Sequence, residues 1–233
     1  MCQKDSAANV VDLQTRILAR NDDTASHNRE HFLERGIFAL NVMGSPGSGK
    51  TAVLEATART FADPGKLAAL AGDLATDNDA ARLQRAGLRS RAIETGQACH
   101  LDAELVHHEL HHFDLTGVEI FFIENVGNLV CPAVYDLGQA ANVVVLSITE
   151  GEDKPLKYPT MFAKADLVLL TKMDLLPHLP FVRIPAILDA LAHVMPDPRV
   201  IALSPLGGDG IAEWLQWLTA ARTATLAGGE VPA

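Results

Sequence analysis

Residues 44–51 read Gly-Ser-Pro-Gly-Ser-Gly-Lys-Thr and match the phosphate-loop pattern G-x-x-x-x-G-K-[ST] at every fixed position. Its glycines let the backbone turn tightly, so that successive N–H groups point at phosphate oxygens. The lysine reaches the β- and γ-phosphates and the threonine hydroxyl ligates Mg²⁺. A chance match is expected in about one in a hundred chains of this length, but here the loop also joins a predicted strand to a predicted helix. The predicted nucleotide-binding residues are Gly44, Ser45, Gly47, Ser48, Gly49, Lys50 and Thr51, of which the last two are also catalytic candidates.

A base-contacting segment is predicted where Thr171-Lys172-Met173-Asp174 closes an apolar run. In GTPases an Asn-Lys-x-Asp stands at such a strand end, and its carboxylate accepts two hydrogen bonds from guanine. Adenine lacks that donor pair, so Asp174 favours GTP over ATP, while Lys172 lies along the base. Threonine stands where Asn is usual, and an ordinary strand-end turn is the alternative interpretation. Ser204 follows the last predicted strand, where a further base-contacting loop is expected, although Pro205-Leu206 replaces the usual Ala-Lys.

Acidic residues near these strand ends are candidates for Mg²⁺ binding and catalysis. Glu124 ends an apolar run shortly before Gly127; the carboxylate can hold Mg²⁺, and the glycine N–H can sense the γ-phosphate. Asp73 and Asp79 follow the second predicted strand, and one of them is expected to complete the Mg²⁺ shell or to orient water. We take Asp73 as a catalytic candidate and Asp79 as a candidate for Mg²⁺ and nucleotide, although the sequence does not choose between them. The alternative is that Asp77 caps a helix and the other acids are solvated.

Two cysteines and a histidine are predicted at the same edge of the sheet. Cys99-His100 precedes a predicted helix, and Cys131 follows Glu124 by a short loop. Loops at the carboxyl ends of parallel strands emerge together, and two thiolates with an imidazole suit Zn²⁺ or Ni²⁺. Adjacent Cys and His are not expected to bind one ion without strain, so two ions, or one ion shared across a dimer axis, are the alternatives. Two inert buried cysteines with a capping histidine are the non-metal interpretation.

Four histidines form two i, i+4 pairs in one predicted helix: His107, His108, His111 and His112. Such pairs can chelate a metal. His107 and His111 share a polar stripe, whereas the other pair falls closer to the apolar face. A solvated helix face with one or two packed histidines is the favoured interpretation, and a second weak metal site is the alternative.

The composition limits the classes of function. The 233 residues suffice for one well-cored α/β domain, and the net charge of −10 argues against a nucleic-acid partner. The three cysteines are no disulfide framework. No apolar run approaches the ~18 residues that cross a bilayer, and residues 1–6 lack a signal-peptide pattern. We therefore expect a reducing cytoplasmic location without membrane insertion.

Strand and helix patterns alternate from residue 37 onward, which predicts a mostly parallel, doubly wound α/β sheet with helices on both faces, the architecture of a P-loop NTPase. Residues 1–36 are predicted as a helical lead-in packed on the body, with a break at 21–23, residues 37–227 as the nucleotide-binding domain, and 228–233 as a flexible tail. The predicted strands are 37–43, 67–71, 91–93, 119–123, 142–148, 167–170 and 200–203, and the predicted helices of the domain are 51–61, 77–86, 101–113, 184–195 and 210–226.

Over residues ~10 to ~220 the chain resembles the HypB family of hydrogenase nickel-incorporation GTPases, which are SIMIBI-class P-loop proteins. The matching stretches are residues 41–51, 72–76, 99–102, 124–132 and 149–159. The resemblance implies a metal site at Cys99, His100 and Cys131, hydrolysis of GTP to GDP with Mg²⁺, a GTP-promoted homodimer, and delivery of Ni²⁺ to a maturing [NiFe]-hydrogenase. Its partners would be other hydrogenase-maturation proteins and the hydrogenase large subunit. Nickel rather than zinc rests on the resemblance alone.

The sequence departs from the family pattern at its start. Some members carry an N-terminal Cys-x-x-Cys-Gly-Cys nickel site, of which only Cys2 is present here, and no long His-rich tract follows. The urease-assembly GTPase is a rival, but its expected Cys-Pro-His motif is missing. A small-molecule kinase is disfavoured by Asp174 and by the absence of substrate-lid arginines. A passive nickel store would leave the phosphate loop unexplained.

Overall fold

In a computed structural model, the backbone is described for residues 2–73, 78–95 and 99–232, and side chains for residues 15–72, 78–95 and 99–232. These residues form one parallel sheet in the order β3-β2-β4-β1-β5-β6-β7. The strands are β1 (Phe38–Gly44), β2 (Leu67–Asp73), β3 (Arg89–Glu94), β4 (Ile120–Glu124), β5 (Ala141–Ser147), β6 (Leu167–Thr171) and β7 (Val200–Ala202).

The helices cover both faces of the sheet, as the fold prediction required. They are α1 (Cys2–Glu34), α2 (Lys50–Thr60), α3 (Asn78–Arg85), α4 (Ala103–His111), α5 (Lys154–Lys157), α6 (Pro159–Ala163), α7 (Ile184–Val194) and α8 (Ile211–Leu226). Short 3-10 turns occupy Pro64–Lys66, Cys131–Ala133 and Met173–His178. The seven predicted strands and the five predicted helices of the domain are all present, with bounds that differ by a few residues; the short helices α5 and α6 were not predicted.

The central strands are apolar because both of their faces are covered. β1, β4 and β6 are buried along their whole length. On one face Phe38 and Phe122 pack in a cluster with Trp214 and Trp217 of α8. On the other face Phe121 packs in a cluster with residues of α1 and α4. Such continuous apolar runs are typical of strands in parallel sheets.

The predicted break at residues 21–23 is wrong, because α1 is one continuous helix through this region. Asn21 is buried, and its side chain accepts from Ala103 N at 2.9 Å and donates to Asp136 O at 2.8 Å. The polar side chain therefore makes tertiary contacts instead of turning the local backbone. At the other end of the chain, Trp217 Nε1 donates to Pro232 O at 3.3 Å.

The carboxyl ends of four strands place the candidate site residues at one edge of the sheet. β1 ends at Gly44 and leads into the phosphate loop (residues 44–51), and its neighbour β4 ends at Glu124. β6 ends at Thr171, and β2 ends at Asp73. Ligands of open α/β sheets bind in the crevice at this edge.

Candidate nucleotide and metal sites

The phosphate loop has a backbone that its glycines alone can adopt. Gly44 has φ +153°, and a Cβ there would collide with the carbonyl of Val145 and lie 2.8 Å from Ser48 Oγ. Gly49 has φ +102° in the left-handed region, immediately before α2 begins at Lys50. A glycine-rich loop that leads directly into the N-terminus of a helix is the arrangement that binds phosphate oxygens.

Lys50 is buried at the base of this loop. Its Nζ donates to the carbonyl oxygens of Gly44 at 3.3 Å and Ser45 at 3.2 Å. Burial lowers the pKa of Lys50, while the nearby Glu124 carboxylate opposes that shift. The side chain is thus held within the loop by two backbone carbonyl oxygens.

Thr51 and Glu124 form a close pair beside the loop. Thr51 Oγ1 donates to Glu124 Oε1 at 2.6 Å, and both side chains are buried. The second carboxylate oxygen, Oε2, is buried and has no hydrogen-bond partner among the residues that the structure describes. Burial raises the pKa of Glu124 to about 7, against the hydrogen bond from Thr51 and the charge of Lys50. A hydroxyl beside an unsatisfied buried carboxylate oxygen is a donor set that fits Mg²⁺.

The two acidic candidates after β2 differ in how much of each the structure describes. Asp79 lies in the first turn of α3 and lines the same cavity as Lys50 and Glu124, a space of about 490 Å³. The backbone of Asp73 ends β2, but its side chain lies outside the described residues, as does Asp77. The choice between Asp73 and Asp79 therefore stays open.

Arg82 also lines this cavity, and the sequence analysis did not identify it. Its guanidinium donates to Glu55 Oε1 at 3.1 Å and Oε2 at 2.9 Å, and to Asp79 Oδ1 at 3.2 Å. The hydrogen bonds to Glu55 raise the pKa of Arg82. Its i, i+3 spacing from Asp79 on a helix was a signal that could have pointed to it.

The base-contacting segment is tied to the phosphate loop through its first residue. Thr171 Oγ1 donates to Ser48 O at 2.6 Å, so this threonine fixes the two loops to each other. Lys172 has φ +63°, a left-handed conformation rarely adopted outside glycine. Ser204 Oγ accepts from Asp174 N at 2.8 Å, and the Asp174 side chain is exposed. The structure thus brings Lys172, Asp174 and Ser204 to one end of the crevice.

The Cys–His–Cys trio (Cys99, His100 and Cys131) comes together in space. Cys99 Sγ lies 3.1 Å from Cys131 Sγ and 3.7 Å from His100 Nδ1, and the three ligand atoms are within 4.8 Å of one another. The three ligand atoms are therefore close enough to face one ion, while the expectation that adjacent Cys99 and His100 bind one ion only with strain stays a prediction. The backbone bends at Cys99 and His100. The His100 ring stacks on the ring of Tyr135, and the two ring centroids are 4.0 Å apart.

Two members of the trio have pKa values shifted toward the neutral form. The hydrogen bond with Cys99 raises the pKa of Cys131, and burial raises it further. Burial lowers the pKa of His100. A neutral imidazole is the form that binds a metal, and an ion would displace the shared thiol proton. The donor set matches soft or borderline ions such as Zn²⁺ and Ni²⁺.

The linking loop (residues 125–131) joins the nucleotide cavity to the trio. Its Gly127 packs so closely on the phosphate loop that a Cβ would lie 2.9 Å from Pro46 N. Asn128 makes an isolated antiparallel bridge with Gly44, and its Nδ2 donates to Cys99 O at 3.1 Å. The loop therefore touches the phosphate loop and the segment that carries Cys99.

Asn125, at the start of the linking loop, holds the other side of the trio. Its Oδ1 accepts from Leu101 N at 3.3 Å, and its Nδ2 donates to Asn41 Oδ1 of β1 at 3.1 Å. Leu101 also packs against Gly72 of β2, where a Cβ would come within 3.0 Å of the leucine side chain. The segment next to His100 is thus fixed to two strands of the nucleotide edge.

Comparisons with known proteins identify the family of the chain. Residues 38–193 match the family described as CobW/HypB/UreG, nucleotide-binding domain. The hydrogenase maturation factor HypB of Azotobacter vinelandii is 48% identical over 213 residues, which cover 91% of this chain and 70% of that protein. The chain belongs to the HypB family of hydrogenase maturation factors.

Two further HypB proteins extend the comparison. The hydrogenase/urease maturation factor HypB of Helicobacter pylori is 42% identical over 201 residues, which cover 83% of this chain and 81% of that protein. A crystal structure of HypB from Helicobacter pylori in complex with nickel superposes with a TM-score of 0.84 at 36% identity, covering 89% of this chain and 97% of that one. These matches confirm the predicted family and the predicted α/β fold. Within the described residues, no helix of this HypB family member has the length and apolar character to cross a membrane.

Proposed function

We propose that this HypB family member hydrolyses GTP to GDP and phosphate and uses the nucleotide state to control binding and delivery of Ni²⁺ during [NiFe]-hydrogenase maturation. The observation that carries the proposal is the linking loop, which contacts the phosphate loop at Gly127 and Asn128 and ends at the metal candidate Cys131. Support for nickel comes from the donor set and from the nickel complex of the Helicobacter pylori relative.

The residues of the nucleotide edge have separate roles in the proposed hydrolysis. The N–H groups of the phosphate loop and Lys50 bind the phosphates and offset the charge that develops on them. Thr51, Glu124 and Asp79 would hold Mg²⁺, which supplies electrostatic stabilisation of the transferred phosphoryl group. Either Asp73 or Asp79 orients the attacking water, and Asp174 selects guanine through its two hydrogen bonds.

Contact between the two sites gives a route for coupling. A γ-phosphate that draws Gly127 N–H toward itself moves a loop whose next residue, Asn128, holds Cys99 by a hydrogen bond of 3.1 Å. Loops that order around a γ-phosphate are a common way for GTPases to report their nucleotide. Because linkage is reciprocal, a change of Ni²⁺ affinity by GTP requires an equal change of GTP affinity by Ni²⁺.

We further propose a nucleotide-dependent homodimer that shares the metal at its two-fold axis. Each copy contributes three ligands, so two copies supply more than the four that a tetrahedral ion takes. Val130 and Val134 beside Cys131 are 59% and 43% exposed, as suits a face that a second copy covers. Other maturation proteins and the hydrogenase large subunit would receive the ion, in a cytoplasm that keeps the thiols reduced. Residues 1–36, 37–227 and 228–233 are the proposed lead-in, GTPase domain and tail.

Calorimetric titration tests the coupling. Ni²⁺ is titrated into protein loaded with GDP and into protein loaded with a non-hydrolysable GTP analogue, while light scattering gives the mass of each state. We expect affinities that differ by about 5- to 150-fold and a doubled mass with the analogue. Cys131→Ala should abolish the difference and leave nucleotide affinity unchanged. Equal Ni²⁺ affinities together with equal masses would contradict the proposal, leaving a GTPase and a metal site that act independently.

A further inference from the structure

A second group of histidines lies where α1 and α4 pack together, apart from the Cys–His–Cys trio. His107 and His111 occupy successive turns of α4, and their Nε2 atoms are 3.0 Å apart. His31 of α1 faces them, with its ring centroid 6.3 Å from that of His111. His27, one turn before His31, is close enough to lower the pKa of His107. Three or four imidazoles from two helices therefore converge on one surface.

The hydrogen bonds of Asn28 determine which nitrogen of His107 is free. Asn28 is fully buried, and its Nδ2 donates to Ala103 O at 2.9 Å and Leu137 O at 3.2 Å. Its Oδ1 must then be the acceptor in the 2.9 Å contact with His107 Nδ1. His107 consequently carries its proton on Nδ1 and presents the lone pair of Nε2 toward His111. Metal-binding histidines are oriented by this same kind of outer contact.

His31 carries a buried nitrogen that lacks a partner. Its Nε2 has no hydrogen-bond partner within the described part of the chain, although it is shielded from solvent. His31 and His111 also line one open cavity of about 660 Å³, which gives an ion access from solvent.

We propose that His107 and His111, with His31 as a third ligand, form a second binding site for a borderline divalent transition-metal ion; the choice of Ni²⁺ as that ion rests on the proposed function. Imidazole nitrogens select such ions over Mg²⁺ or Ca²⁺. The trio is the one group in the described residues whose three ligand atoms already lie within 4.8 Å. The ion must therefore separate the two Nε2 atoms of α4 slightly and draw in the ring of His31 by a rotamer change.

The second site shares a helix with the first. α4 begins at Ala103, three residues after His100, and a rise of 1.5 Å per residue puts His107 about 6 Å along the helix from there. A weaker histidine site at this position would hold an ion close to the trio before transfer. Imidazole ligands release an ion more readily than thiolate ligands do, which suits a site that passes an ion on to the trio.

Metal titration of matched variants tests the proposal. Cys131→Ala disables the trio, and Ni²⁺ alone is then titrated into the full chain. We expect one remaining bound ion, its loss in the additional double variant His107→Gln/His111→Gln, and roughly tenfold weaker binding in His31→Gln. The control is His108→Gln/His112→Gln, which removes the other i, i+4 pair of α4. That pair is exposed and its ring centroids are 5.0 Å apart, so the control should keep the ion.

A thermal measurement guards against variants that fold poorly. Ni²⁺ should raise the unfolding temperature of the Cys131→Ala protein and of the control, but not of the His107→Gln/His111→Gln protein, whose melting without metal should remain cooperative. No bound ion in the Cys131→Ala protein, or equal binding by both histidine double variants, would overturn the site and leave the 3.0 Å contact as a hydrogen bond between two packed rings.

Discussion

The nucleotide edge and the metal trio differ in how far apart in the sequence their residues lie. The phosphate loop is contiguous in sequence, and Ser48, Lys50 and Thr51 are buried within it. The trio joins segments 32 residues apart, and Cys99 is exposed. The nucleotide site is therefore preformed, whereas the metal site depends on where the linking loop places Cys131. If the two sites are coupled as proposed, we expect a movement of the linking loop to alter the geometry of the metal site more than that of the phosphate loop.

Removing the cation of the phosphate loop should have the largest effect. Lys50→Ala should lower GTP hydrolysis by about 100-fold or more, because the lost ammonium faces the charge that develops on the phosphates. Steady-state phosphate release measures it. Arg59→Ala, which removes an exposed cation from the same helix, is the control and should hydrolyse GTP at the wild-type rate. Turnover by Lys50→Ala equal to that of the control would refute the catalytic role.

The second-largest effect is expected on the preference for GTP over other nucleotides. Asp174→Asn replaces a carboxylate that accepts two hydrogen bonds with an amide, so GTP should bind about 10- to 100-fold more weakly while xanthosine triphosphate binds better. Competition binding with GTP, ATP and xanthosine triphosphate measures the preference. Asp197→Asn changes an exposed acid elsewhere and should keep the preference for GTP. Equal competition by ATP in the wild-type protein would show that the guanine assignment is wrong.

The buried acid at the end of β4 should make the stability of the nucleotide-free protein depend on pH. Burial raises the pKa of Glu124 to about 7 from the ordinary 4.5, so the folded state holds a proton that the unfolded chain has lost. Its contribution is present in full below pH 4.5 and is lost as the pH rises through 7, by on the order of 3 kcal/mol. Denaturant unfolding of wild type and Glu124→Gln from pH 4.5 to 7.5 measures it. The variant should lack this part of the decline; identical slopes would contradict the shift.

The smallest effect is expected at the contact between the linking loop and the trio. Asn128→Ala removes the hydrogen bond to Cys99 O and should weaken Ni²⁺ binding about fivefold, the equivalent of one neutral hydrogen bond. The backbone bridge to Gly44 does not need the side chain, so GDP affinity should stay unchanged. Calorimetry with each ligand measures the two affinities in one variant. A loss of GDP affinity without a loss of Ni²⁺ affinity would show that this side chain supports the nucleotide site and not the metal site.

The fold class, the order of the elements and the phosphate loop could be predicted from the sequence. Those features depend on local periodicity and on a contiguous motif, whose glycines and lysine act through nearby backbone. The predicted break at residues 21–23 was wrong. Asn21 is a residue type typical of turns, but its side chain forms hydrogen bonds with the backbone of Ala103 and Asp136. Arg82 was also missed: its i, i+3 spacing from Asp79 indicates that the two side chains are neighbours, but only the structure shows that both line the nucleotide cavity.

The sequence by itself determined which residue types are available: a phosphate loop, an aspartate that is a candidate for base contact, two thiols with an imidazole, and paired histidines on one helix. Only the tertiary structure decided their distances. It placed Cys131 beside Cys99 and His100, bridged Asn128 to Gly44, and turned Asn28 of α1 onto His107. These contacts join segments far apart in the chain, and their geometry follows from the packing of strands and helices as whole bodies, which no local pattern encodes.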